Sequence, residues 1–377
     1  MRAIRLCPAG TSVELFFDDS LEESLVADVL SSWAAMDPVR CVGDLEQSTA
    51  DGKVFVSAEL SCPEKYRGVE GLQFLSVQHV DAAQERLTVE VTLAMLRTLA
   101  GSVSLFHAAA LGDESSGRAM ILIGPSGRGK TTASRFLGQH FAYLSDETAV
   151  VQDDLCVRPY PKPLSVIVEK GSPKHQIDPG SLGISVVAPD NFSYQLSRIV
   201  LLGRVEEPTV PYVEDVSWAE ALVEIAGQTS GLLLTDDGLP RLLNAMKRCG
   251  GVRRVVYSEI SQTLPVFREL LSSPAEESSA SWQIVHSVEQ EVPAGLVSRM
   301  SGTSAVFLDD ASLIYGGGRM SEVSEFAADS WLLLDEPLPV DVFRQRIEQQ
   351  YGPIPDDQFP AVLQNLVDSQ MIYYQKP

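Results

Sequence analysis

Short apolar runs and amphipathic segments alternate along the first hundred residues. Residues 12–17 and 53–57 run apolar or alternate apolar with polar positions, which predicts two strands. Residues 20–33 carry apolar side chains at helical spacing after a serine, with two glutamates in the first turn, which predicts a helix. Residues 87–100 are expected to begin as a strand and to continue as a helix. The pattern predicts an α+β domain over residues 1–100, with nothing at catalytic spacing.

The next part of the chain alternates strands and helices in the manner of an α/β core. The apolar run 120–123 predicts a buried strand, and 131–141 predicts the helix that follows it. Two further apolar runs, 141–144 and 148–151, have no helix between them, which predicts a hairpin. The later predicted elements are a strand, two helices, a closing strand and a last helical turn, at 199–202, 218–228, 238–249, 251–257 and 265–271. The α/β core is expected to span residues 101–271.

A polar stretch separates this core from a different pattern. Residues 272–281, SSPAEESSAS, are small, polar or acidic and cannot bury a core, which predicts a flexible linker over 272–284. Beyond it the chain predicts three short strands and then three helices, at 295–300, 305–308, 312–315, 322–334, 340–351 and 356–369. This order predicts a small winged-helix domain over residues 285–377. The whole chain is expected to be a multidomain protein of mixed α/β and α+β class.

The composition limits the partners and the compartment. The 377 residues carry 29 Lys and Arg against 51 Asp and Glu, a formal net charge of −22, so the surface should repel nucleic acids and anionic membranes. A neutral or basic peptide partner is compatible with this charge. No apolar stretch approaches the ~20 residues of a membrane span, and the amino terminus lacks the apolar segment of a signal peptide, which predicts a cytoplasmic protein. The five cysteines contain no C-x-x-C pair, which favours free thiols over a metal site or a disulfide framework.

A glycine-rich loop lies between the strand at 120–123 and the helix at 131–141. Residues 124–131, GPSGRGKT, match the phosphate-binding pattern G-x-x-x-x-G-K-[ST] at every fixed position. The glycines let consecutive backbone N–H groups point at an anion, and the start of the helix adds its positive dipole end. Lys130 can reach the β- and γ-phosphates, and the Thr131 hydroxyl can bind Mg²⁺. A chance glycine loop is the alternative, which the strand–loop–helix context disfavours.

The sequence therefore predicts a P-loop that binds a nucleoside triphosphate, with ATP and Mg²⁺ as the expected cofactors. The expected binding residues are Gly124, Ser126, Gly127, Arg128, Gly129, Lys130, Thr131 and Thr132.

A carboxylate pair and a histidine accompany the P-loop. Asp146 and Glu147 directly follow the predicted strand at 141–144, a layout unlike that of GTPases and motor ATPases. His107 lies within the apolar run 105–111, which is taken as a strand preceding the loop strand. Together with the P-loop, these residues resemble the HPr kinase/phosphorylase family and its serine-kinase-like relatives. The resemblance is close over residues 104–163 and weaker through 271.

The resemblance implies roles for these residues. Lys130 would hold phosphate, Asp146 would bind Mg²⁺ and take the proton of the acceptor hydroxyl, and His107 would lie against that acid. Thr131 and Glu147 would complete the metal ligands, although the family has Asp where this chain has Glu147. The family's second signature loop contacts the acceptor protein and supports the reverse reaction. Residues 175–185 are at best a remnant of it, which weighs against HPr as the acceptor and against the reverse reaction.

Four more polar side chains are candidates for lesser roles. Lys162, in a proline-rich crossing, could reach the phosphate cleft, but a solvated turn lysine is the favoured interpretation. Arg198 and Arg204 bracket a predicted strand, and either could neutralise charge during phosphoryl transfer. His79 stands alone beside apolar residues and is expected to be structural.

The carboxyl-terminal pattern carries a second resemblance. Residues 327–352, AADSWLLLDEPLPVDVFRQRIEQQYG, combine a helix ending in -LLD, a proline turn and a V-x-x-(x)-I…Y helix, and over 291–374 the chain resembles PqqD-like domains. Such domains bind the leader segment of a ribosomally made precursor peptide, which adds a strand to the sheet edge and lies against the third helix. A DNA-binding winged helix is the alternative. The third predicted helix, 356–369, has no Lys or Arg, which favours the peptide.

These features predict an ATP-dependent kinase that phosphorylates a Ser or Thr hydroxyl of a precursor peptide whose leader is bound by residues 285–377. Other maturation enzymes are expected partners, and the kinase resemblance allows a homo-oligomer. Two alternatives stay open. A nucleotide-gated adaptor would present a peptide to other enzymes without phosphoryl transfer. A kinase of an HPr-like protein or of a free metabolite would use the C-terminal domain only for assembly.

Overall fold

The computed structural model describes residues 1–41, 43–77, 79–124, 129–166 and 174–376. The N-terminal elements are β1 (Arg2–Leu6), β2 (Val13–Phe17), α1 (Glu23–Ser31), β3 (Val39–Cys41), β4 (Gly52–Ser57), β5 (Leu72–Ser76) and α2 (Val80–Leu99). Their strands form one sheet of order β3-β1-β2-β4-β5, and α2 packs on it. The strands predicted at 12–17 and 53–57 and the helix predicted within 20–33 are confirmed.

Helix α2 corrects the prediction for residues 87–100, which do not begin as a strand. The buried apolar side chains of this segment recur every four residues, which is a helical and not a strand period. They are Leu87, Val91, Met95 and Leu99. The apolar cluster that they enter also contains three residues of the following domain, Leu105, Val150 and Tyr160. The N-terminal domain and the next domain therefore share one core.

The middle of the chain is an α/β core. Its elements are β6 (Ser104–Phe106), β7 (Ala108–Asp113), β8 (Arg118–Ile123), α3 (Lys130–Leu137), β9 (Ala142–Ser145), β10 (Ala149–Val151), β11 (Val157–Arg158), β12 (Leu164–Val166), β13 (His175–Ile177), β14 (Gln195–Arg204), β15 (Tyr212–Val216), α4 (Trp218–Ala226), β16 (Thr229–Ser230), α5 (Gly238–Arg248), β17 (Val252–Tyr257) and α6 (Leu264–Ser272). A six-stranded sheet has the order β15-β17-β14-β8-β7-β9, and a four-stranded sheet has the order β11-β10-β6-β16. The predicted helices and strands of this region are present, and the last helical turn is a full helix.

The chain passes between these two sheets at two places, where the sequence predicted continuous structure. The apolar run 105–111 is two strands, because β6 belongs to the four-stranded sheet and β7 to the six-stranded sheet, with His107 at the break. Likewise β9 and β10 do not form the predicted hairpin, because they lie in different sheets. Asp146 and Glu147 lie at this second crossing. At each of these places the apolar residues supply strands to two different sheets, and hydrophobicity alone does not show where the chain passes from one sheet to the other.

The C-terminal part contains more strands than the sequence predicted. Its elements are β18 (Trp282–His286), β19 (Leu296–Arg299), β20 (Ser304–Leu308), β21 (Ser312–Gly316), β22 (Arg319–Val323), α7 (Glu325–Leu332), β23 (Leu338–Pro339), α8 (Val340–Tyr351), α9 (Phe359–Asp368) and β24 (Ile372–Tyr374). They form a sheet of order β18-β20-β21-β22 and a second sheet of order β23-β19-β24. The three predicted strands and three predicted helices are confirmed. Strand β18 includes residues 282–284, which the sequence assigned to the linker.

The C-terminal domain is packed against the α/β core instead of hanging from a free tether. Trp282 of β18 stacks on Trp218 of α4, with ring centroids 5.7 Å apart. Four residues of β20, β21 and β22 belong to the same apolar cluster as α4 and α5. The predicted linker is irregular, as expected, but Arg198 donates hydrogen bonds to the carbonyls of Ser273 and Pro274, and the Ser278 amide donates to Lys247. No helix in the described part of the chain is long and apolar enough to cross a membrane.

Replacing Trp282 by alanine is expected to loosen this contact. Burying a large apolar side chain contributes about 1.5–3 kcal/mol, so its loss should raise the population of undocked domain by about tenfold or more. Endoproteinase Glu-C, which can cut at Glu276 and Glu277, should then cleave the linker correspondingly faster. Val288→Ala is the matched control, because Val288 is 69% exposed and should leave the cleavage rate unchanged. Equal cleavage of Trp282→Ala and wild type would mean that the stacked tryptophans do not hold the domain.

Candidate functional site

The topology of the six-stranded sheet brings three segments of the chain to one edge. Strands β8 and β9 both run antiparallel to β7, so their carboxyl ends lie at the same edge and lead to Gly124 and Asp146. Because Ala108 of β7 pairs with Ile123 of β8, His107 also lies at this edge. In open α/β sheets, ligands bind in the crevice outside the carboxyl ends of the strands. The fold therefore brings the segments that carry Gly124, Asp146 and His107 to one edge of the sheet.

A cleft of about 500 Å³ opens at this edge. It is lined by His107, Gly129, Lys130, Thr131, Thr132, Arg135, Asp146, Glu147, Ser165, Val166 and Lys174. The cleft thus contains both members of the acid pair, the predicted histidine and the start of the P-loop helix. Three further predicted residues, Ser126, Gly127 and Arg128, lie outside the described residues.

Lys130 is held at the start of α3 with its ammonium group turned back to the loop. Its Nζ donates a hydrogen bond of 2.6 Å to the carbonyl oxygen of Gly124, and the residue is 8% exposed. Gly129 directly before it has φ of +92°, a left-handed conformation that a residue with a side chain adopts only with strain. Burial lowers the pKa of Lys130. The helix start and this ammonium group together form a positive end of the cleft, suited to phosphate.

The favoured interpretation of Lys162 as a solvated turn lysine is wrong. The side chain is 0% exposed, and its Nζ lies 3.3 Å from Oδ1 of Asp146 and 2.9 Å from Oε2 of Glu147. It also donates a hydrogen bond to the carbonyl oxygen of Pro163. Residues 159–164, PYPKPL, are buried throughout. One signal in the sequence could have revealed this, because the lysine is the one charged residue of an otherwise apolar, proline-stiffened segment.

The segment that carries Lys162 is fastened to its surroundings on both sides. The Tyr160 amide donates a hydrogen bond to the Leu144 carbonyl, and the buried Tyr160 hydroxyl lies 2.7 Å from Oγ1 of Thr92 in α2. We call residues 159–164 the lysine strap. It connects the N-terminal domain to the acid pair through the hydrogen bond of Tyr160 to Thr92 and the ion pairs of Lys162.

Burial and Lys162 shift the pKa values of the acid pair in opposite directions. Burial raises the pKa of Asp146, although Lys162 opposes the shift. Lys162 lowers the pKa of Glu147, whose side chain is half-exposed. Burial would lower the pKa of Lys162, but Asp146 and Glu147 outweigh it and raise that pKa. Oδ1 of Asp146 is buried, and its contact with the ammonium group of Lys162 is an ion pair at 3.3 Å.

His107 lines the cleft without the contact that the resemblance implied. Within the part of the chain that the structure describes, its imidazole makes no hydrogen bond to Asp146. Its backbone amide donates instead to the Gln228 carbonyl at 2.6 Å. Burial lowers the pKa of His107, and the nearby charge of Lys130 lowers it further. The ring is therefore neutral at pH 7.

The lowered pKa of His107 should make folding stability depend on pH. The unfolded chain binds a proton near pH 6.5 and the folded chain only at lower pH, so the stabilisation is present above about pH 6.5 and is lost as pH falls. His107→Gln should therefore reduce the drop in melting temperature between pH 7.5 and pH 5.5. His79→Gln, at an exposed histidine, should leave that drop unchanged. An identical drop in melting temperature in wild type and His107→Gln would contradict the lowered pKa of His107.

The remaining candidates fall into two groups. Neither arginine that was considered as a charge-neutralising cation lines the cleft: Arg198 binds the linker from the opposite end of β14, and Arg204 is exposed and bonds the Ser258 carbonyl. The cleft instead contains cations that the sequence did not single out, Arg135 and Lys174. Lys174 lies directly before β13, which Thr88 of α2 holds through a hydrogen bond to Gln176.

Comparisons with known proteins add little to this geometry. No protein-family profile matches the chain, and no curated protein matches it. Among solved structures, the Hpr(Ser) kinase/phosphatase from Coxiella burnetii has a TM-score of 0.24 at 14% sequence identity, covering 45% of this chain and 93% of that chain. A similarity this weak assigns neither a fold nor an activity.

Proposed function

We propose that this protein is an ATP-dependent phosphotransferase that acts on a hydroxyl group of a peptide. The observation that carries the proposal is the cleft itself. It pairs a phosphate-binding end, made by the P-loop helix and Lys130, with the buried carboxylate of Asp146. In a chain of net charge −22, the cations that line this cleft favour an anionic ligand.

The residues of the cleft fit Mg²⁺ that arrives with a nucleotide. Among the described residues, no group of three or more His, Cys, Asp or Glu side chains could hold a metal alone. Mg²⁺ typically takes one or two carboxylates and completes its shell with waters and substrate phosphates. Asp146, Glu147 and the Thr131 hydroxyl would supply the protein ligands, and the all-oxygen chemistry of these three groups, which line the same cleft, supports this fit. When bound, the ion would neutralise charge that develops on the transferred phosphoryl group.

The protein's own groups divide the remaining tasks. Lys130 and the start of α3 would bind the triphosphate and fix its orientation. Asp146 would accept a hydrogen bond from the acceptor hydroxyl and then its proton, a role that suits a carboxylate whose pKa is raised by burial. Neutral His107 would line the acceptor side without adding another positive charge. Catalysis of this kind consists mainly of positioning and charge neutralisation.

The C-terminal domain would bind the leader of the peptide. Strand β24 is an edge of its sheet, and α9 packs beside that strand, which gives an extended segment both a strand to pair with and a helix to lie against. Tyr373 and Tyr374 of β24 are partly exposed there. The docking of this domain on the core supports the assignment, because it would hold a bound peptide at a constant distance from the cleft. Such tethering can bring effective concentrations to roughly millimolar.

The test uses the full chain, Mg·ATP and each short peptide that is found to be encoded next to its gene. The peptide should gain the mass of one phosphoryl group, and a peptide without its leader should react much more slowly. Equal rates with and without the leader would instead favour a kinase of an HPr-like protein or a metabolite. A protein that binds ATP but transfers nothing would overturn the phosphotransferase.

A nucleotide-gated adaptor is the second candidate. The observation that favours it is Lys162, which neutralises one of the two charges of the acid pair from within the protein and so weakens the attraction of the pair for a metal ion. ATP binding without turnover, combined with a changed affinity for the leader peptide, would support the adaptor.

A further inference from the structure

Lys162 occupies an unusual position for a lysine in a cleft that should bind a cation. Its ammonium group lies behind the acid pair, shielded from water, at 3.3 Å from Asp146 and 2.9 Å from Glu147. Its side chain is 0% exposed, whereas Glu147 is 46% exposed and faces the cleft. The lysine therefore neutralises the carboxylates from the protein side and leaves Glu147 open to the cleft, whereas Asp146 stays buried at 3% exposure.

The lysine strap fixes the position of the Lys162 ammonium group. Tyr160 is held by Thr92 and by the Leu144 carbonyl, and prolines flank Lys162 on both sides. A proline has a fixed φ and no N–H group, so this segment has few alternative conformations. The ammonium group is a permanent part of the site and not a movable gate.

We infer that Lys162 is the fixed counter-cation of the Asp146–Glu147 pair and that it keeps the pair from binding a divalent metal tightly until a nucleotide is present. The inference rests on the proposed function only for the identity of that nucleotide. Two carboxylates beside one ammonium group present a net charge of −1 to a metal ion, instead of −2. At separations of a few ångströms and an effective dielectric of about 20, one unit charge changes the binding constant of a metal ion by a factor of about ten or more.

This arrangement has a consequence for the order of binding. With the acids compensated, free Mg²⁺ meets a weak site, whereas a metal that arrives on a triphosphate brings oxygen ligands of its own. The phosphates would in turn be neutralised by Lys130 at the other end of the cleft. The metal should therefore enter together with the nucleotide, and the resting protein should remain folded without metal.

The experiment measures Mn²⁺ binding to the nucleotide-free full chain by electron paramagnetic resonance, together with the melting temperature at rising Mn²⁺. Lys162→Met should bind Mn²⁺ at least about tenfold more tightly than wild type, and its melting temperature should rise with Mn²⁺ far more than that of wild type. Lys162→Arg, which keeps the charge, should resemble wild type. Lys247→Met is the control, since it removes a surface lysine that faces Glu277.

Two outcomes would overturn the inference. One is an equal Mn²⁺ affinity in wild type and Lys162→Met, and the other is an increase in Mn²⁺ affinity in Lys247→Met as large as that in Lys162→Met. If Lys162→Met unfolds at every Mn²⁺ concentration, the comparison moves to the Asp146→Asn background. There the added Lys162→Met change should again tighten Mn²⁺ binding, and no change would refute the role. These measurements need no phosphoryl transfer, so they remain decisive even if the proposed activity fails.

Discussion

Lys130→Met should lower the rate of phosphoryl transfer by about 10²–10³-fold or more. Removing one preorganised group that stabilises developing charge typically has an effect of this size. Methionine keeps the apolar stem of the lysine, so the buried position should stay filled. The loss should appear in single-turnover measurements with Mg·ATP and the precursor peptide, where product release does not limit the rate.

Two controls make this result specific. Lys65→Met removes an exposed lysine of the N-terminal domain and should retain the full rate. The melting temperature of Lys130→Met should stay near that of wild type, because the lysine makes one hydrogen bond to the loop and no ion pair among the described residues. A Lys130→Met protein that keeps more than about one tenth of the rate would exclude the P-loop as the phosphate-binding element.

The largest effect on stability is expected at the lysine strap. Lys162→Met should destabilise the protein by about 3–5 kcal/mol at pH 7, the usual cost of leaving one partner of a buried ion pair uncompensated. Asp146 is the main source of this cost, because its side chain is only 3% exposed. Asp146→Asn removes that charge, so the double variant should be more stable than the sum of the two single changes predicts, by about 2 kcal/mol. Denaturant unfolding of the four proteins measures this coupling.

The destabilisation caused by Lys162→Met should become smaller as pH falls. Without Lys162, both carboxyl groups lose the cation that opposes their protonation, so the pKa values of Asp146 and Glu147 should rise. Protonation on acidification then removes the buried negative charge. In wild type the ionised Glu147 stabilises the fold above about pH 4.5, and this contribution is lost as pH falls. The gap between wild type and Lys162→Met should therefore narrow from pH 7 towards pH 4, and a widening gap would contradict the ion pair.

The sequence predicted the position of Lys130 in the cleft better than the surroundings of the acid pair. The P-loop pattern is local, since strand β8, the loop and helix α3 follow one another, and the apolar period of α3 continues the motif. The carboxyl-end rule of α/β sheets then brings Asp146 to the same edge. Such relations can be predicted because each depends on neighbours along the chain or on strand direction.

Lys162 could not be predicted in the same way, because its burial depends on partners far away in sequence. Thr92 of the N-terminal domain and Leu144 of β9 hold the strap that carries it. The sheet changes at His107 and at residues 146–148 were missed for a related reason. A short apolar run fits any buried strand, and hydrophobicity does not specify which sheet the strand joins.

The docking of the C-terminal domain also depends on contacts between residues far apart in sequence, which a local pattern does not predict. The composition of residues 272–281 correctly predicted irregular structure, but hydrogen bonds from Arg198 and to Lys247 hold the segment on the core. The stacking of Trp218 on Trp282 joins two regions that no local pattern connects. Composition therefore predicted the absence of regular structure but not the presence of contacts.

The shared core between α2 and the α/β domain has a consequence for protein engineering. A fragment that begins at residue 101 would keep the P-loop pattern, His107 and the acid pair, yet it would leave Leu105, Val150 and Tyr160 exposed to water. It would also remove the Thr92 anchor of the strap beneath the acid pair. The smallest transplantable unit of this chain that contains the cleft should therefore include α2, so that grafting it onto another protein requires a cut in front of residue 80.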